Sequence, residues 1–142
     1  MADYNKIGLL TFRDGRMLLC RKKHTTSLLI LPGGCLEPGE SALECLTREL
    51  HEELGEVGVS GLEYVGTYTD RAAGGEGKTV SIELYQGELE GEPRPCAEIR
   101  ELVWFGESDD RAQLAPSLAN RILPDLAQRG IWPRRHGGRS RT

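Results

Sequence analysis

An α/β fold, with a mixed β-sheet and helices packed on its faces, is what this 142-residue sequence predicts. Three observations carry that expectation. Short apolar or alternating runs bounded by Gly, Pro, Asn and Asp recur along the chain and read as strands. Two stretches, 41–54 and 117–129, read as helices. No internal repeat and no linker separates the two kinds of element, so they must share one core.

The elements follow in order. Residues 6–12 form an apolar run that reads as a buried strand. Asp14-Gly15 is a hairpin signal, and 16–21 reads as the returning strand. Residues 22–27 are a polar loop, and 28–31 a short apolar strand leading to Gly33-Gly34. Pro38-Gly39 marks a turn. Ser41 can cap a helix, and Glu44 three residues later completes a capping box. Leu43, Leu46, Leu50 and Leu54 give that helix one apolar stripe, and Gly55 is a stop. Alternation makes 62–69 and 79–89 partner strands around a Gly-rich loop at 70–77. Residues 90–95 are a Pro/Gly loop, and 99–105 a further strand. In the last helix, Pro124 lacks an amide donor and should kink it or split it in two, and Gly130 ends it.

Length and composition set bounds. The chain suffices for one domain with a proper core, expected at 1–132, followed by a basic, flexible tail at 133–142. The 18 glycines imply many turns. Cys20, Cys35, Cys45 and Cys96 show neither C-x-x-C spacing nor histidine partners, and read as reduced thiols of a cytoplasmic protein. No apolar run is long enough for a membrane span, and the first residues lack the regions of a signal peptide. Arg134, Arg135, Arg139 and Arg141 crowd the end of the chain. Subtracting those four charges from the net −4 leaves −8 for the remainder. A body that acidic argues against nucleic acid as a partner, though not against a small nucleotide arriving with its metal.

The chemistry concentrates between Gly33 and Gly55. Glu49, Glu52 and Glu53 stand at i, i+3 and i+4 on one flank of the leucine stripe. Three carboxylates that close repel one another, and a divalent cation removes the conflict. Carboxylate-rich oxygen ligands suit Mg²⁺, with Mn²⁺ as the alternative, rather than zinc. Two adjacent glycines after an apolar run let backbone approach a ligand closely. An isolated Glu-rich helical face is ordinarily just solvated; the Gly33-Gly34 lead-in and Glu40 turn this one into a candidate site.

The spacing Gly34-x5-Glu40-x7-Arg48-Glu49-Leu50-x-Glu52-Glu53-x-Gly55 resembles the signature of the Nudix hydrolases. Only the last position departs, where Glu56 replaces an aliphatic residue. The resemblance implies the Nudix fold, an α/β/α sandwich with a mixed sheet. It implies cleavage of a nucleoside diphosphate linked to another moiety, by water attack on phosphorus with a divalent metal. Carried over by position, Glu49 and Glu53 become the principal metal ligands, and Glu52 a further ligand or the base. The Gly33 carbonyl becomes a ligand in a loop supported by Gly34, and Glu40 acts through a bound water. Arg48 orients the carboxylates rather than touching substrate. Members often carry a lysine near the phosphates where this chain has Cys35; Arg21, Lys22 or Lys23 could supply that charge. Members also recruit a carboxylate from a later loop, for which Glu98 and Glu101 are candidates. Tyr68, Tyr85, Trp104 and Phe105 could line a slot for a base, or belong to the core. Absent subfamily signatures point to a nucleoside triphosphate-type substrate. The alternatives are a hydrolase of ADP-ribose or dinucleoside polyphosphates, a catalytically silent nucleotide-binding module, or an isomerase of a diphosphate ester. A homodimer would be in keeping with the family.

Overall fold

Side chains of the first strand divide at once between two layers. The computed structural model of the chain describes residues 2–74 and 77–133. In β1 (Tyr4–Leu10), Ile7 and Leu9 face one hydrophobic cluster and Leu10 the other. The expected strand at 6–12 is interrupted at Thr11, and β2 (Phe12–Arg13) belongs to a second sheet. Asp14 and Gly15 both take positive φ, 55° and 77°, so a two-residue turn returns the chain into β3 (Arg16–Lys22). The run at 28–31 makes only isolated bridges, Cys20 to Ile30 and Leu29 to Leu114. Pairing resumes two residues later in β4 (Gly33–Cys35), antiparallel to β1.

The helix α1 (Ala42–Leu54) starts as the sequence dictates. Glu44 donates its backbone N–H to Ser41 Oγ at 3.1 Å, and Ser41 donates its own to Glu44 Oε1 at 2.9 Å. Leu46, Leu50 and Leu54 are buried against β1 and β3. Leu43 is 51% exposed, a correction to the expected stripe. In the first turn the inward flank is Ala42 and Cys45 instead, with the Cys45 thiol lying against the β4 backbone. Glu56 is exposed past the helix end, while Val57 takes the buried position and joins the same cluster.

β5 (Gly58–Arg71) and β6 (Thr79–Glu90) pair antiparallel and run longer than predicted. β6 also lies parallel to β1, from Tyr4–Val80 to Leu10–Gln86. The first sheet is therefore mixed, ordered β4-β1-β6-β5. The second, β2-β3-β7 with β7 at Ile99–Phe105, is antiparallel. The expected last helix is divided. Residues Leu118–Ile122 form a π-helical turn that continues into α2 (Leu123–Gln128), with Pro124 in the first turn of α2. A proline tolerated there needs no amide partner, which explains the split. Leu118, Ile122, Leu123, Leu126 and Trp132 pack on the sheet face opposite α1. Helices on both faces of a mixed sheet bear out the α/β/α expectation. The arginine-rich end at 134–142 lies outside the described residues.

Candidate active site

The β4 strand lies across the carboxylate flank of α1. Gly33 donates its N–H to Glu53 Oε1 at 3.0 Å. Gly33 has φ +136°, and a Cβ there would stand 2.1 Å from the Ile7 carbonyl oxygen, so only glycine fits. Gly34 is bare for a different reason: a Cβ would sit 2.2 Å from Glu49 Cδ. Gly33 thus lets β4 lie close against β1, and Gly34 clears space for the Glu49 carboxylate.

Arg48 ties the flank together. Its Nε and Nη2 donate to the two oxygens of Glu40 at 2.7 and 2.9 Å. Nη1 donates to Glu49 Oε2 at 2.8 Å, and Nη2 also reaches the Cys35 carbonyl at 3.1 Å. Those guanidinium bonds hold the Glu40 carboxyl down at about 2. The hydrogen bonds that Arg48 gives to Glu40 and Glu49 raise its own pKa in turn. Both Glu40 oxygens are taken by the guanidinium, so Glu40 reaches Glu49 through Arg48.

Glu53 is 8% exposed, and burial pushes its carboxyl up to about 7. The Gly33 N–H works against that rise, the charge of Glu49 adds to it, and Lys22 and Lys6 oppose it. Glu49 and Glu53 line a cavity of about 450 Å³, together with Gly33, Gly34, Cys35, Lys6 and Lys22. Much of the remaining wall is aliphatic, with Leu31, Val80, Ile82, Ala115 and Leu118, and Ala72, Ala73 and Gly74 also line it. Buried Ser117 also lines it and has no side-chain hydrogen bond among the described residues. That combination of a few charged groups and aliphatic walls within a few hundred cubic ångströms suits a small ligand.

Several predicted residues stand elsewhere. Glu52 is exposed and does not line the cavity; it is about 100° round the helix from Glu53. Arg21 is occupied by Glu101, the Ser27 carbonyl and Gln113, and is turned away from the cavity walls. Lys23 and Glu98 are exposed, joined by a backbone bond of 2.8 Å, and do not line the cavity either. Their register in the second sheet accounts for this: Arg21 pairs with Glu101, and Lys22 with Ile99 across a bulge. Tyr68 and Phe105 are core residues, with Tyr68 donating to Asp125 at 2.6 Å. Tyr85 and Trp104 pack against the α1 cluster. The cavity carries Tyr4 and aliphatic walls in place of these aromatics. Lys6 was not picked out from the sequence. Its signal was there: a cation opening an apolar strand, in phase with Gly8, which also lines the cavity.

Among the described residues no three His, Cys, Asp or Glu side chains form a ready-made metal cage. The donors present, two carboxylates beside a glycine backbone, fit a hard ion that keeps waters and shares phosphate ligands.

Comparison with known proteins agrees with this geometry. A family model described as NUDIX domain matches residues 5–126. The NAD-capped RNA hydrolase NudC of Pseudomonas entomophila (strain L48) is 32% identical over 120 residues, covering 84% of this chain. The chain spans only 42% of the length of that relative. The solution structure of the E. coli ORF135 protein superimposes with a TM-score of 0.71 at 26% identity, covering 92% of this chain and 94% of that one. The crystal structure of a MutT NUDIX hydrolase from Burkholderia pseudomallei gives a TM-score of 0.64 at 25% identity, covering 78% and 92%. Enzymes of this family generally depend on divalent metals. The chain belongs to the NUDIX family.

Proposed function

We propose that this chain is a Mg²⁺-dependent pyrophosphohydrolase of a nucleoside triphosphate-type substrate, with water attacking phosphorus. One observation carries the reading. Two carboxylates and an adjacent pair of glycines line a cavity whose remaining walls are largely apolar. Phosphates belong beside the carboxylates and a base against the aliphatic walls. Mg²⁺, with Mn²⁺ as substitute, would be held by Glu49, Glu53 and the Gly33 carbonyl, and supplies neutralisation of the charge that gathers on the phosphates.

The chain's own residues do the rest. Arg48, anchored by Glu40, fixes the rotamer of Glu49 by a charge-assisted bond. The Gly33 N–H fixes Glu53. Glu52, open to solvent, stands as the candidate to accept a proton from water. Buried aliphatic walls exclude bulk water from the base. Free thiols at Cys20, Cys35, Cys45 and Cys96 suit a reducing, cytoplasmic setting.

The test is a substrate panel with Mg²⁺: nucleoside triphosphates, ADP-ribose, nucleotide sugars, dinucleoside polyphosphates and NAD-capped RNA. Triphosphates should give a nucleoside monophosphate and pyrophosphate. Similarity to the NudC enzyme favours a second reading, an NAD-type dinucleotide, and preferred cleavage of capped RNA would select it. Glu53→Gln should lower kcat by at least about a thousandfold. No product from any substrate would overturn the hydrolase reading and leave the silent binding module or the isomerase.

A further inference from the structure

Lys6 and Lys22 present the cavity with two ammonium groups that the protein itself does not pair. Lys6 is half-buried on β1, and Lys22 half-buried at the end of β3. Among the described residues neither side chain makes a hydrogen bond or an ion pair. The carboxylates nearest them are committed elsewhere, Glu49 to Arg48 and Glu53 to the Gly33 N–H. Burial lowers the pKa of Lys6, and the charge of Lys22 lowers it again, while Cys35, Glu53 and Glu49 act the other way. An unpaired, partly desolvated cation beside a like charge is unfavourable in the free protein. It becomes favourable when an anion enters between the two.

The strand register adds a second point. Lys6 is the cross-strand partner of Cys35, with β1 antiparallel to β4. Position 35 ends the strand whose two glycines face Glu53 and Glu49. An ammonium at position 6 therefore stands one inter-strand spacing, about 5 Å, from the backbone of position 35. Charge can be delivered to the same part of the cavity from either residue.

We infer that Lys6 is a substrate-binding residue that holds the polyphosphate chain, with Lys22 as its second contact, and that it serves in place of a cation at position 35. The inference rests on the reading of this cavity as a phosphate site. A polyphosphate meets two positive charges here beyond whatever the metal neutralises. Substrates bearing more phosphate charge gain most from them.

The experiment compares wild type, Lys6→Met and Lys6→Met/Cys35→Lys. Methionine keeps the apolar stem and removes the charge. With the best substrate from the panel, Lys6→Met should raise KM roughly 10- to 100-fold, the range for one charge-assisted hydrogen bond. Its kcat should change less than about threefold. The ratio of kcat/KM for the triphosphate over ADP-ribose should fall. Cys35→Lys should recover most of the lost KM in the double variant. Calorimetric titration with inorganic tripolyphosphate and Mg²⁺ reads binding without turnover. If wild type turns over nothing but binds tripolyphosphate and Lys6→Met does not, the hydrolase reading fails and the lysine assignment holds. Unchanged KM and unchanged tripolyphosphate binding in Lys6→Met overturn it, as does failure of wild type to bind tripolyphosphate.

Discussion

At the scale of single residues, Glu53 carries the largest conflict in the molecule. Its side chain is buried, its charge is opposed by Glu49, and only the Gly33 N–H and two lysines compensate. A carboxyl raised from 4.5 to about 7 binds its proton more tightly when folded than when unfolded. Stability from this group is therefore full below about pH 4.5 and falls as pH rises through 7. The ionised fold bears a penalty on the order of 3 kcal/mol. In EDTA, Glu53→Gln should be more stable than wild type at pH 8, by up to about that amount, and should match it near pH 4. Urea titrations at the two pH values check this; equal stability at pH 8 would refute the account. Glu49, Glu53, Arg48 and the two glycines were legible in the sequence because spacing within 23 residues defines them. Lys6 was not, because it meets them through strand register, and no local periodicity records which strands become neighbours.

At the scale of elements, α1 shows how local rules and tertiary packing divide the work. The capping box and Gly55 set its ends by short-range chemistry, and both could be read from residues 41–55. Leu43 could not, because inward direction in the first turn is decided by where β4 lies rather than by the wheel. Ser41→Ala should cost about 1 kcal/mol, since Glu44 loses its acceptor. The expected readout is a melting point lowered by about 3 °C with kcat nearly unchanged. A large loss of activity would instead mean that the cap positions the carboxylate flank. The run at 28–31 teaches the same lesson from the other side. Its composition is that of a strand, yet it finds only single bridges, and the glycines after it, poor strand formers, pair with β1 because Glu53 draws Gly33 down.

At the scale of the whole molecule, the fold class was readable but the division into two sheets was not. Asp14-Gly15 announced a hairpin, and nothing in 6–12 announced that Thr11 would pass the chain from one sheet to the other. The far end of the described chain matters as much. Trp132 is 1% exposed, packed against Phe105 with their centroids 6.3 Å apart, and Arg111 lies over its ring. Trp132→Ala should cost about 3–5 kcal/mol, measured by denaturant unfolding. Trp132→Phe should cost well under half of that, because it keeps the ring and removes an indole N–H that has no partner among the described residues. The parallel pairing of β1 with β6 has one last consequence, and it concerns time. Tyr4 must wait for Val80 before that register exists, so the loop to be closed is among the longest in the chain. During synthesis the motif residues, all made by position 55, leave the ribosome well before the strand that completes their cleft. A nascent chain that ends there carries the entire signature but lacks the part of the cavity wall that Val80, Ile82 and Leu118 supply.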